Sequence, residues 1–269
     1  MKKLVLYLLL LFLSTDGLNA KDYIHIENNI PKSQKKALVI LNGVGDSKKY
    51  RKIQLEYFKN NGMDIFIPDY KQRSSLDESL YKFSVFYDLH DIDSYKEVNF
   101  MCYIIGGYIL NRYIEINGKK NIKKIIYDRS PIQERAAKIG VDKLPFLTKI
   151  KFGQLVFDFS KVKLNPLKDD DGLEIGVIIE NQATRLMRAF EKTSYEYGPY
   201  SFDIKKIEKN YDDYFHTWLD HDLMYKRFDV IGSEILYFYK NGSFTKEARR
   251  NKYNWDPFKK IRLWFLFIS

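Results

Sequence analysis

Three stretches of this 269-residue chain carry residues whose types and spacing could do chemistry. In residues 218–224, His221 follows an apolar run and brings an imidazole that can move protons near neutral pH. The glycine-bearing loop 41–46 could turn backbone N–H groups toward an anion. Residues 99–107 are an apolar run that passes into a helical pattern through a tight turn. Each stretch lies at the end of a predicted strand, where an open α/β sheet places its reactive groups.

The elements expected to position these stretches are strands that alternate with helices. Apolar residues at helical spacing predict helices over 48–60, 106–118 and 229–239. Six short runs rich in Val, Ile or aromatic residues predict strands. The alternation predicts an α/β fold in one large domain, with a mostly parallel sheet flanked by helices. The predicted strands are residues 37–41, 64–67, 98–103, 122–127, 175–179 and 213–218.

Both ends of the chain differ in character from the domain, which we assign to residues 21–250. Residues 1–20 contain two lysines, a ten-residue apolar run and a polar segment that ends in Ala20. They predict a signal peptide and export to the periplasm, the medium or a membrane surface; an uncleaved anchor or a buried N-terminal helix is the alternative. The tail 251–269 is basic and aromatic, so it could contact a membrane surface or pack against the domain.

Residues 129–171 form the least regular part of the domain. They contain three prolines and the acidic run 169–171. This insertion could form a lid over a cleft or an inert surface excursion.

The composition gives 45 Lys+Arg against 35 Asp+Glu, a formal net charge of +10. Removing residues 1–20 takes away two lysines and one aspartate and leaves +9. Such a charge suits an anionic surface, but the lysines are scattered among acidic residues, which favours an ordinary solvated surface. Without zinc-ligand spacing, an RNA-binding signature or a phosphate-binding loop, we expect no nucleic-acid partner, no metal and no cofactor. The lone Cys102 lies in an apolar run, which predicts a small buried thiol.

The chain resembles small bacterial lipase/esterase-like members of the α/β-hydrolase superfamily over about residues 36–245. The matching segments are the loop Asn42-Gly43-Val44, "GMDIFIPDY" at 62–70, the strand-to-helix turn at 98–107 and "LDHDLMYKRFDVIGSEILYFYKNGSF" at 219–244. The resemblance implies that His221 is the general base. It also implies that the backbone N–H groups of Val44 and Ile105 form the oxyanion hole.

The chain departs from the family at the nucleophile. Aligning the paired glycines 106 and 107 with those of the family places Ile104 where a Ser hydroxyl is required. A hydrocarbon side chain has no lone pair or labile proton, so no acyl-enzyme can form on it. The alternatives are the thiol of Cys102, the phenol of Tyr103, whose pKa of about 10 makes it a poor nucleophile, and a water activated by His221.

The acid that orients His221 also departs from the family. In the family an Asn-Asp-Gly turn supplies it, and the corresponding region here is residues 194–199. Matching its glycine makes Glu196 the nearest carboxylate, with a one-residue shift. Asp220 and Asp222 flank His221 and are expected to be solvated carboxylates. We expect His90 and His216 to be surface or core polar residues.

Three functions follow from these patterns. The first is an exported, catalytically degenerate hydrolase that keeps a cleft for an acyl, lipid, glycolipid or peptide ligand. The second is an active ester or lipid hydrolase that uses Cys102, Tyr103 or water. The third is an envelope interaction protein that uses the fold as a scaffold.

Overall fold

The computed structural model describes residues 21–164, 166–167 and 172–259. Its centre is a seven-stranded sheet in the order β1-β3-β2-β4-β5-β6-β7. Strand β1 is antiparallel to β3, and every other neighbouring pair is parallel. The predicted fold class is therefore confirmed. The strands are β1 Tyr23–His25, β2 Lys36–Leu41, β3 Met63–Ile67, β4 Glu97–Tyr103, β5 Ile122–Arg129, β6 Glu174–Gln182 and β7 Asp213–Asp220.

Helices cover both faces of this sheet. The helices are α1 Lys48–Phe58, α2 Leu76–Leu89, α3 Ile104–Asn117, α4 Ala136–Lys143, α5 Pro145–Phe152, α6 Gln154–Phe159, α7 Arg185–Ala189, α8 Glu191–Glu196, α9 Ile204–Ile207, α10 His221–Met224 and α11 Phe228–Asn241. Short 3₁₀ turns lie at Lys32–Gln34, Ile92–Ser94 and Gln133–Arg135.

The two faces of the sheet are buried by different helices. Along β2, Val39 packs in a core with α2 and α3, while Ile40 packs in a second core with α1 and α11. Successive side chains of a strand point to opposite faces, so a strand covered on both faces is apolar throughout. This is why the buried strands could be recognised as short apolar runs.

Several strands continue beyond their predicted ends. β5 runs on to Arg129, β6 to Gln182 and β7 to Asp220. Most of the added residues are polar but buried at the carboxyl edge of the sheet. Because the strands were predicted from apolar runs, these polar ends were not included. Strand β1 and helix α2 were not predicted. Helix α3 begins at Ile104, two residues before the predicted start.

The insertion contains three short helices, α4, α5 and α6, which pack against one another. Side chains from all three line the cleft described below, so the insertion borders that cleft. Its acidic run, the residues 1–20 of the predicted signal peptide and the tail beyond residue 259 lie outside the described residues. Among the helices that are described, none has the length and apolar character needed to span a membrane.

The first part of the C-terminal tail packs against the domain. Phe258 is buried in a cluster with Ile132 and Met187. The Ala183 N–H donates to the Pro257 carbonyl at 2.9 Å, and the Trp255 indole N–H donates to the Asn181 carbonyl at 3.3 Å. This part of the tail therefore packs against the domain.

Candidate active site

His221 is the first residue of α10 and follows β7 directly. It is buried at the carboxyl edge of the sheet, with 6% of its surface exposed. Just before it, the β6–β7 register shifts: Glu180 pairs with Thr217, but Gln182 pairs with Asp220. The strand β7 therefore carries one extra residue here, and a bulge of this kind changes the direction of the side chains that follow.

Two carboxylates surround Nδ1 of the His221 ring. Glu180 Oε1 lies 2.6 Å from this atom, and Asp128 Oδ2 lies 3.4 Å from it. Both acids are fully buried, Glu180 on β6 and Asp128 on β5. Neither Asp128 oxygen has a good hydrogen bond, and neither has Glu180 Oε2. The ring therefore lies beside two buried acids whose oxygens are only partly hydrogen-bonded.

This surplus of carboxylates makes the cluster bind protons tightly. Burial alone would lower the pKa of His221, but the charges and hydrogen bonds of Glu180 and Asp128 outweigh it and raise this pKa well above its ordinary value. Burial raises the pKa of Glu180 as well, and the neighbouring Asp128 adds to that rise. The cluster thus holds its protons more tightly than the separate side chains would.

The prediction that Glu196 orients His221 is wrong. Glu196 ends α8, is largely exposed and pairs with Lys143 at 3.3 Å. The family alignment placed the acid in a turn after the strand, whereas β6 itself carries it. A detectable signal was present, because Glu180 and Asp128 each follow the last residue of a predicted buried strand.

The residues that flank His221 have distinct roles. Asp220 caps α10 by accepting a hydrogen bond from the Leu223 N–H at 3.0 Å, so it is not merely solvated as predicted. Asp222 is exposed, as predicted. His216 lies at hydrogen-bond distance, 2.9 Å, from the Asn181 side chain, and burial and the nearby Arg249 lower its pKa to about 4. His90 ends α2 and packs on Phe86.

A tyrosine that was not among the predicted site residues lies on the other side of the His221 ring. The hydroxyl of Tyr225 lies 3.2 Å from Nε2. Its ring stacks on Tyr103 at 4.2 Å between centroids, and Tyr50 lies parallel to it at 5.7 Å. A Cβ added at Gly43 would lie only 2.5 Å from this hydroxyl. Tyr225 therefore fills the space between the His221 ring and the loop after β2.

The nearby hydroxyl and thiol groups are poor nucleophiles. Tyr225, Tyr103 and Cys102 are all fully buried, and burial raises the pKa of each well above its ordinary value. The Tyr103 hydroxyl donates to the Met224 carbonyl at 3.0 Å. Cys102 is packed in the core formed with α2 and α3. The structure thus contradicts an activated Cys102 or Tyr103.

Ile104 occupies the turn from β4 into α3. It is the first residue of that helix, and the side chain of the preceding Tyr103 does not cap it. A Cβ at Gly106 would collide with the Leu41 carbonyl, so this helix start lies directly against the end of β2. Ile104 and Ile105 both line the cleft. The turn from β4 into α3 thus presents a hydrocarbon side chain to the cleft.

The loop after β2 is fixed from within the protein. The Asn42 and Gln54 side-chain amides exchange two hydrogen bonds of 2.8 Å, and Tyr70 donates to the Asn42 carbonyl at 2.6 Å. Buried Arg51 binds Asp46 at 2.6 Å. Val44 stays exposed at the tip of this loop and lines the cleft. The predicted oxyanion-hole donors, Val44 and Ile105, therefore border the same cleft.

The cleft has a volume of about 960 Å³. It is bordered by the loop after β2, the start of α3, the insertion helices, α7 and the segment around His221. Pockets of 300–1,000 Å³ are of the size that holds a small organic ligand. Apolar groups that line it are Val44, Ile104, Ile105, Ala136, Ala137, Phe152, Val156, Phe159, Leu186 and Leu223.

Asp128, Glu180 and His221 are also the described residues that could ligate a metal ion, since one donor atom of each lies within 4.8 Å of the others. Bonds of about 2.0–2.2 Å to one tetrahedral ion would hold two ligand atoms more than about 3 Å apart. The separation of 2.6 Å between Nδ1 and Glu180 Oε1 is a hydrogen-bond distance. As arranged, these two atoms share a proton.

By sequence, the chain matches no protein-family model and no curated protein. Several solved structures share its fold over most of the length of both chains. Est1E from Butyrivibrio proteoclasticus is 14% identical with a TM-score of 0.55, over 82% of this chain and 93% of that one. A bromoperoxidase from Bacillus anthracis is 14% identical with a TM-score of 0.54, over 82% and 95%. The Bacillus licheniformis lipase BlEst2 is 13% identical with a TM-score of 0.53, over 80% and 98%. This chain has the α/β-hydrolase fold.

Proposed function

We propose that this protein is a catalytically degenerate α/β hydrolase that binds an acyl-bearing ligand in its cleft without cleaving it. One observation carries the proposal: the group at hydrogen-bond distance from His221 Nε2 is the buried phenol of Tyr225, while Ile104 holds the nucleophile position. A triad hydrolase needs a serine or thiol that this nitrogen can deprotonate.

The charge state of the site supports the same proposal. A general base needs a free lone pair at working pH, and the two acids beside Nδ1 raise the pKa of His221, which favours its protonated form. The cleft is nevertheless large and apolar on much of its wall, which suits a hydrocarbon chain. A fold that keeps its cleft while its reactive atoms are replaced is suited to binding.

The test measures catalysis and binding in the same preparation. We expect no labelling by a fluorophosphonate probe, and no turnover of a chromogenic short-chain ester beyond that of the His221→Ala variant. We expect a fluorescent fatty acid to bind the unmodified protein. Ala137 lines the cleft, so Ala137→Trp should block binding, whereas Ala189→Trp, on an exposed position of α7 outside the cleft, should not.

Two results would overturn the proposal. Ester turnover that disappears in His221→Ala would show an active enzyme, in which His221 activates a water. Absence of any acyl binding, with all variants folded by circular dichroism, would favour the scaffold function instead.

A further inference from the structure

The cleft carries an excess of positive charge that the proposed acyl ligand does not by itself explain. Among the residues that the structure describes, three acidic ones line it, namely Glu134, Asp220 and Asp222. Twice as many basic residues do so: Lys48, Lys49, Lys151, Arg185, Arg188 and Lys226.

The acidic residues offset only part of this excess: Asp220 attracts Arg188 and Asp222 attracts Lys151, whereas Glu134 is engaged outside the cleft. Glu134 binds Arg129 at 2.7 Å, and that arginine does not line the cleft. The carboxylate of Asp220 accepts from the Leu223 N–H. Asp222 is exposed and attracts the Lys151 ammonium. Burial lowers the pKa of Lys151, and the charge of Asp222 opposes that shift.

Most of the basic residues remain available. Within the described part of the chain, no ion pair joins Lys48, Lys49, Arg185 or Lys226 to a carboxylate. A cleft lined by one sign of charge, with apolar walls, concentrates ligands of the opposite sign.

These cations come from two sides of the cleft. Lys48 and Lys49 begin α1, and Lys226 lies over the ring of the adjacent Tyr50, with its Nζ 5.5 Å from the ring centroid. Arg185 lies on α7, which follows β6. The apolar floor between the two sides includes Ile104 and Ile105.

We propose that the ligand is an anionic amphiphile: an acyl or alkyl chain that lies on the apolar floor and ends in a carboxylate or phosphate held by the basic residues. This inference rests on the proposed function and makes it more specific. The acyl or alkyl chain of the ligand supplies the hydrophobic part of the affinity. The anionic group supplies a salt-dependent preference over a neutral ligand of the same length.

The test compares ligands of equal chain length by isothermal titration calorimetry. Dodecanoate, dodecyl phosphate and neutral dodecanol are titrated below their micellar concentrations into the full protein at 50 and 300 mM NaCl. We expect at least one anion to bind about tenfold or more tightly than dodecanol, and this ratio to shrink at the higher salt. Comparing the two anions then identifies the preferred head group.

Charge-reversal variants locate the anion. Arg185→Glu/Lys226→Glu should abolish the preference for the anion over dodecanol. The control Lys206→Glu/Lys246→Glu makes the same change in net charge at exposed positions outside the cleft and should keep the preference.

The results separate the two proposals. Equal binding of dodecanol and both anions would overturn the anionic assignment and leave acyl binding standing. A preference that both double variants retain, or both lose, would overturn its location in the cleft. Binding of none of the three ligands would overturn the proposed function itself.

Discussion

Glu180 and His221 lie 41 positions apart in the chain, yet Oε1 of one is 2.6 Å from Nδ1 of the other. Neighbouring parallel strands, β6 and β7, bring them together, and the extra residue of β7 completes the approach. The pair is the arrangement that a hydrolase uses to orient its base. A second buried acid, Asp128, turns it into a cluster that retains protons.

The first prediction concerns the pH dependence of stability. His221 and Glu180 have folded-state pKa values above their ordinary values of 6.5 and 4.5. The folded protein therefore binds more protons than the unfolded chain, and the free energy of unfolding should fall as pH rises above these values. Glu180→Gln removes one titrating group and weakens the rise in the pKa of His221. The free energy of unfolding, measured with urea between pH 5 and 8, should therefore change less steeply with pH. Glu196→Gln, at an exposed position, should keep the original slope.

The second prediction concerns restoring a nucleophile. Ile104→Ser alone should react poorly with a fluorophosphonate, because Tyr225 occupies Nε2 of His221. Tyr225→Phe added to it removes that hydrogen bond, worth about 1 kcal/mol, and labelling should speed up about fivefold. The rate is followed by gel fluorescence. Adding His221→Ala should abolish it, and equal rates for the single and double variants would show that Tyr225 does not restrain the base.

The third prediction concerns the single thiol. Cys102 is fully buried, so a thiol reagent should reach it only when the protein unfolds. A domain of ordinary stability unfolds only rarely in buffer. The reaction of the Cys102 thiol with a chromogenic disulfide should therefore be at least about 100-fold slower in buffer than in urea. Cys102→Ala/Tyr81→Cys places a thiol on an exposed site of α2 and should react at once. Rapid reaction of the unmodified protein would bring back a reactive Cys102.

The fourth prediction concerns the loop that borders the cleft. Arg51 is fully buried and holds Asp46 at 2.6 Å and Asp69 at 3.2 Å. Arg51→Met removes the guanidinium that both carboxylates share, leaving only Lys71 beside the buried Asp46, and should lower the free energy of unfolding by about 3 kcal/mol. Arg112→Met breaks the exposed pair with Glu115 and should cost less than about 1 kcal/mol. Chemical denaturation measures both, and similar losses would contradict the burial argument.

The sequence predicted the six parallel strands and the helices that follow β2 and β4, because strands buried on both faces are continuous apolar runs. Ile104 could be placed at the turn between β4 and α3 because the glycine pair is local to it, although the helix itself was predicted to begin two residues later. The acids could not be assigned correctly, since pairing Asp128 and Glu180 with His221 depends on strand order and on a bulge. Tyr225 was missed because a tyrosine in an apolar pattern is normally part of the core.

The close contact at Gly106 also bears on how ligand selectivity could change. With no room for even a methyl group against Leu41, the end of β2 and the start of α3 form a floor that cannot shift without disrupting the sheet. The insertion helices α4, α5 and α6 pack chiefly on one another and on α2. If the cleft binds an acyl chain as proposed, substitutions in these three helices should change the preferred chain length with less damage to the fold than substitutions at the end of β2 or the start of α3.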